Sequence, residues 1–114
     1  MVDVLRTKQK LIFVIVKKGK AKRILKALQK AGAEGSTVIP GRGMSVHQER
    51  SFLGIPIEDD KDCILSIIPE EIKENVLSKV RAAVRLDRRG NGIAFVLNPS
   101  IVTGVAHLLN HNNK

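Results

Sequence analysis

The residues of this chain best suited to chemistry sit in three short glycine clusters: Gly35 with Ser36 and Thr37, Gly41 with Arg42 and Gly43, and Gly90 with Asn91 and Gly92. Glycine lets backbone approach a ligand closely, and successive exposed N–H groups form concave anion-binding nests. Arg42 lies inside the second cluster, and Arg88 and Arg89 immediately precede the third. Positive charge therefore stands beside each of these two nests, and the chemistry implied is capture of a phosphate-bearing or otherwise anionic ligand. Asn91-Gly92 equally meets the needs of an ordinary tight turn before a strand. None of the clusters matches a Walker loop or a dinucleotide-binding fingerprint.

Other reactive residue types offer less. Among His47, His107 and His111, only the last two share an i, i+4 spacing that places two metal ligands on one helical face. They fall in a polar terminal stretch that reads better as a solvated tail. Cys63 opens an apolar run and reads as a small core residue, since no histidine or basic neighbour in sequence marks it as an activated thiolate. The acids Glu58, Asp59, Asp60 and Asp62 lack the spacing of a calcium loop. They read as a solvated acidic loop exit. No acid–base pair or nucleophile constellation emerges, so the expectation is a non-enzymatic protein with no metal site.

The elements that must position these clusters follow from periodicity. Lys10 to Lys17 encloses the continuous apolar run LIFVIV, rich in β-branched residues, which suits a buried strand. Between Lys20 and Ala31 the spacing turns helical: Ala21, Ile24, Leu25, Leu28 and Ala31 share one face while Lys22, Arg23, Lys26, Gln29 and Lys30 take the other. Gly32 stops that helix. A second strand is predicted from Ala33 to Ile39, ending where Pro40 removes a ladder donor. A third runs from Asp62 to Ile68. Pro69, Glu70 and Glu71 then make a good helix start, and Ile72, Val76, Val80, Ala83 and Val84 carry the second helix. The basic turn Arg85 to Gly92 leads to a fourth strand, Ile93 to Leu97. The tail beyond Pro99 shows weak helical periodicity and should fray at its end.

The order β-α-β, long connection, β-α-β is the split βαβ or ferredoxin-like pattern. The fold class expected is α+β, with a four-stranded antiparallel sheet and both helices on one face. Pro40 to Lys61, far longer than a usual connection, joins the second and third strands as an oversized hairpin. Its glycine-rich basic entry, polar middle and apolar then acidic exit are too varied for a passive linker. The opposite sheet face would carry alternate apolar residues with no helix to cover it, and self-association is the simplest remedy.

Composition narrows the function classes. At 114 residues, 43% apolar and 27% charged, the chain is expected to be a single domain over 1–114. Aromatic content is 3%, with no Trp or Tyr, so the stacking surface of a sequence-reading RNA module is poorly supplied. One cysteine excludes an internal disulfide, no apolar run approaches membrane-spanning length, and the start lacks the apolar core of a signal peptide. A cytoplasmic protein without direct membrane insertion is expected. The net charge is +9, and no acid occurs between Asp3 and Glu34. This basic stretch is either a solvated helix face or a surface for phosphate-bearing ligands or an acidic partner.

Taken together, the lysine-rich first helix ending LQKAGAEGSTV, the long connection opening with GRG, the unit DCILSIIPEEIKENVLSKVRAAV and the segment GNGIAFVLNP resemble the P-II signal-transduction proteins that regulate nitrogen metabolism. The resemblance covers Lys10 to about Leu97. It implies a homotrimer whose sheets line a central barrel, with adenine nucleotide (ATP, ADP or AMP) or a cyclic dinucleotide bound in clefts between subunits. Carried onto this chain, the ligand-holding backbone would be Gly35, Ser36, Thr37, Gly90, Asn91 and Gly92, with Arg42, Arg88 and Arg89 nearby. The 40–61 connection would be the signalling loop, with Gly43, His47, Arg50 and Phe52 facing a target enzyme or membrane transporter.

The chain departs from the family pattern at several points. Ile93 stands where the family has a phosphate-binding lysine, Asn91 replaces an acid, and Ser100, Ile101, Val102 and Thr103 occupy a region where the family has arginines. With no tyrosine, control by tyrosyl uridylylation is chemically impossible. Two other classes are open from sequence. A nucleic-acid-binding ferredoxin-like domain would use the basic first helix, although the paucity of aromatics makes nucleic acid unlikely. A CutA-like trimer would bind a divalent metal.

Overall fold

The computed structural model describes residues 4–5, 8–44, 51–52, 55–56 and 59–104. In chain order the elements are β1 (Val4–Leu5), β2 (Gln9–Lys17), α1 (Ala21–Lys30), β3 (Thr37–Gly43), β4 (Ser51–Phe52), β5 (Ile55–Pro56), β6 (Asp59–Pro69), a 3-10 turn (Glu70–Ile72), α2 (Lys73–Val84), β7 (Gly92–Leu97) and β8 (Val102–Thr103). The main sheet has the order β3-β6-β2-β7 with every neighbouring pair antiparallel. With α1 and α2 this is the ferredoxin-like α+β arrangement expected from the sequence.

The core lies between the two helices and one sheet face. Ile12, Val14 and Val16 of β2 and Ile64 and Ile68 of β6 alternate into it, meeting Ile24, Ala27 and Leu28 of α1 and Val76, Val80 and Val84 of α2. Neither helix has a side-chain N-cap, and α1 has no acid in its first turn. Its stability comes from burying that apolar stripe rather than from its own termini. The end of α1 is well determined. Gly32 turns with φ +104, its N–H reaches Gln29 O at 3.1 Å, and the Ala33 N–H reaches Leu28 O at 2.9 Å. That is the Schellman arrangement, and it aims the chain at Gly35.

Three sequence expectations change. The strand predicted to end before Pro40 instead runs through it to Gly43, with Pro40 opposite Asp62 and Arg42 opposite Asp60. Because β3 is an edge strand, it tolerates a residue without an N–H. Correspondingly β6 starts at Asp59 rather than Asp62, so both ends of the expected 40–61 connection are ladder. The acidic exit is strand as well: Asp60 pairs with Lys18 and Arg42, and Asp62 accepts the Gly19 N–H at 2.9 Å. In the tail expected to be weakly helical, Val102–Thr103 forms β8 and pairs with β1 at the other end of the chain. The tail's His107 and His111, from which the i, i+4 spacing was read, lie outside the described residues.

The sheet face away from the helices is an apolar grid set by register. Across β6, β2 and β7 the rows are Ile67, Leu11 and Leu97; Leu65, Phe13 and Phe95; and Cys63, Ile15 and Ile93. Phe13 and Phe95 stack with centroids 5.2 Å apart. Ile93, Leu97 and Phe95 are 55%, 47% and 37% exposed, so no part of this chain's described residues covers them.

Candidate functional site

The third glycine cluster is placed by the end of α2. Arg85 terminates that helix in the left-handed conformation (φ 55), and the Arg88 and Asn91 N–H groups close turns onto Arg85 O and Arg88 O at 3.0 and 3.2 Å. The Asn91 amide points back, donating to Val84 O at 3.1 Å and Arg85 O at 3.0 Å. Its side chain therefore caps α2, a role that a carboxylate could not perform because it cannot donate. Gly90 (φ +86) makes the bend. Gly92 (φ +143) is required by close approach: a Cβ there would lie 2.5 Å from Ile15 O and 2.9 Å from Val16 Cγ1.

These residues form one wall of a cleft of about 400 Å³ whose other wall is the end of β3. Its lining includes Arg42, Gly43, Gly90, Asn91 and Gly92, together with Lys17, Lys61, Ile15, Cys63, Met44 and Ile93. Among the described residues three cations line it and no acid does. Lys17 and Lys61 are ladder partners, which puts both on one face at one end of the sheet. Gly41 and Gly43 keep β3 slim here: a Cβ on Gly41 would touch Cys63 Sγ at 3.4 Å, and one on Gly43 would touch Lys61 Cε at 3.6 Å.

Gly35, Ser36 and Thr37 line a separate cleft of about 640 Å³ with Leu11, Leu65, Ser66 and Ile67. The buried Ser66 hydroxyl donates to Gly35 O and so fixes this segment against β6. Four residues of extended strand separate Cys63 from Ile67, roughly 13 Å, so the two clefts occupy different parts of the same uncovered face.

The structure thus brings together four of the nine expected effector contacts, Arg42, Gly90, Asn91 and Gly92, with the expected docking residue Gly43 beside them, while Gly35, Ser36 and Thr37 stand apart. Arg88 and Arg89 are exposed on the turn and are not among the described residues lining either cleft. His47 and Arg50 lie outside the described residues, and Phe52 is described only as backbone in β4. Sequence reasoning missed Lys17, Lys61 and Ser66. The two lysines flank apolar runs and read as strand ends; only the register of β2 with β6 makes them neighbours. Among the described residues no group of three or more His, Cys, Asp or Glu side chains converges as a metal site. No helix among them is long and apolar enough to cross a membrane.

Fold and clefts together define a ferredoxin-like domain with anion-suited glycine segments. The sequence profile of the nitrogen regulatory protein P-II family matches residues 9–105, and the chain belongs to that family. Family members are regulators rather than enzymes. The fold is similar to the crystal structure of Arabidopsis thaliana PII bound to citrate, with a TM-score of 0.68 and 24% identity over 88% of this chain and 85% of that one. No curated protein sequence matches the chain.

Proposed function

We propose that this protein is a non-catalytic, cytoplasmic regulator that assembles as a homotrimer, binds a small anionic effector between subunits, and reports it to a partner protein through the connection within 40–61. The observation that carries this reading is the pair of separated half-clefts on one uncovered apolar face. One holds the glycine turn with Arg42, Lys17 and Lys61, and the other holds Gly35, Ser36 and Thr37. Packing the Leu11, Phe13 and Phe95 face against neighbouring copies would bury it and bring one chain's Gly35 segment toward another's glycine turn.

An adenine nucleotide (ATP, ADP or AMP) is the leading effector, with a cyclic dinucleotide as the alternative. The three cations of the first cleft supply the positive charge that Ile93 does not. The citrate bound to the plant protein is a compact polyanion of the kind that such a cleft attracts. The partner would be a target enzyme or membrane transporter in nitrogen or related metabolism. Without tyrosine the connection must signal by ligand-dependent shape, which requires the effector to prefer one conformation over another.

Native mass spectrometry combined with calorimetric titration of ATP, ADP, AMP, cyclic dinucleotides and citrate tests the reading. The wild type should run as three chains and bind at least one of these anions, whereas Phe95→Glu should release monomers and lose binding. A wild type that stays monomeric at micromolar concentration, or that binds none of the anions, refutes it.

A further inference from the structure

Resting on the effector reading above, we propose that Asp60 is a built-in competitor for the effector, holding the Arg42 guanidinium away from the anion that the first cleft would bind. Arg42 borders two clefts. One is the glycine-turn cleft, and the other is a cleft of about 310 Å³ lined by Lys18, Pro40, Gly41, Asp60, Lys61 and Asp62. Register places Arg42 directly opposite Asp60 on the β3–β6 ribbon, on the helix side of the sheet. There Arg42 Nε lies 3.9 Å from Asp60 Oδ1, and Lys18 Nζ lies 4.0 Å from Asp60 Oδ2. Asp62 is engaged elsewhere, accepting the Gly19 N–H. Asp60 is therefore the carboxylate that Arg42 faces.

On the opposite side of the ribbon, Lys17 and Lys61 stand side by side with no acid among the described residues of the cleft lining. An anion entering there meets two lysines and the glycine-turn backbone, and it needs the planar fork of Arg42 to complete a bidentate contact. One guanidinium cannot serve the anion and Asp60 on opposite sides of a strand at the same time. The restraint is mild, since the Arg42 and Asp60 side chains are 75% and 58% exposed and such pairs contribute little. A ligand can therefore displace it. Arg42 and Asp60 are one rung from the last described pair of the ribbon, Gly43 with Asp59. Moving Arg42 from Asp60 to the ligand thus changes the charge pairing at the base of the long connection, which gives effector binding a physical route into it.

The test is a double-mutant cycle read by calorimetry with ATP and with AMP on the full chain: wild type, Asp60→Asn, Arg42→Gln and the double variant. Asp60→Asn should bind about two- to five-fold more tightly than wild type, the range that an exposed ion pair supports. That gain should vanish in the Arg42→Gln background, and Asp60→Glu should bind like wild type. An unchanged or weaker affinity for Asp60→Asn overturns the proposal. An equal gain with and without Arg42 also overturns it, because it would mean that Asp60 acts only through its field on the cleft. If wild type binds but the gain is absent, competition alone fails. If wild type binds neither nucleotide nor any other anion tested, the effector reading falls and takes this inference with it.

Discussion

At Gly92 backbone geometry makes a strong demand on the sequence, and Gly92→Ala measures it. The residue pairs with Val16 at the first rung of β7, with φ at +143. An added Cβ would stand 2.5 Å from Ile15 O, 2.9 Å from Val16 Cγ1 and 3.3 Å from Leu86 Cδ2. Val16 and Leu86 can yield by rotating, but Ile15 O belongs to the central strand, so the β2–β7 ladder itself must shift. A strained φ costs an L-residue about 1–2 kcal/mol, and overpacking against fixed atoms adds about 1–3 kcal/mol. Together these give a loss of about 3 kcal/mol, a large fraction of a typical domain's 5–15 kcal/mol. With no Trp or Tyr in the chain, urea denaturation should be followed by far-UV circular dichroism. Gly19→Ala is the control for strain alone, since φ there is +97 with no atom of the described residues within 4 Å. Gly35→Ala, with open space and no unusual φ, is the control for neither effect. The expected order of loss is Gly92 well above Gly19, with Gly35 within about 0.5 kcal/mol of wild type. If Gly92→Ala costs no more than Gly19→Ala, the close approach to Ile15 O does not constrain this position and the reasoning fails.

Two further outcomes can be read in the same assay. Asn91→Asp, which restores the acid expected in the family's turn, should destabilise by about 1–2 kcal/mol, because it removes the donors to Val84 O and Arg85 O and sets a negative charge against the carbonyl end of α2. A neutral or stabilising Asn91→Asp would show that the amide cap is dispensable. Ser66→Ala should cost about 1 kcal/mol by releasing Gly35 O, and it should weaken effector binding through the Gly35 to Thr37 segment that this bond holds. An unchanged affinity would show that the segment is held by β3 pairing alone.

Much of the fold was legible in the chain because its signals are local. The run from Leu11 to Val16 and the run from Cys63 to Ile68 are β-branched and continuous, and the stripe of Ile24, Leu25 and Leu28 has a single helical face. Gly32 marks a helix end wherever the helix packs. The glycine segments were legible for the same reason, since each needs only its own backbone freedom. Element ends were harder. Pro40 reads as a stop in any strand, and only its place at the sheet edge lets β3 continue to Gly43. The pairing of Val102–Thr103 with Val4–Leu5 joins the two ends of the chain, and no local pattern encodes it.

By itself, then, the sequence determined the element order, the apolar stripes and the glycine positions, all of which depend on neighbours a few residues away. The tertiary structure decided which of those features share a surface. It turned the Asn91 side chain toward α2 rather than toward a ligand, and it set Lys17 beside Lys61. It also separated the Gly35 segment from the glycine turn and placed Asp60 across from Arg42. Each of these depends on strand register, in which a shift of one residue would send every side chain to the other face. Register is settled by packing the whole sheet against two helices, and no short stretch of sequence contains that information.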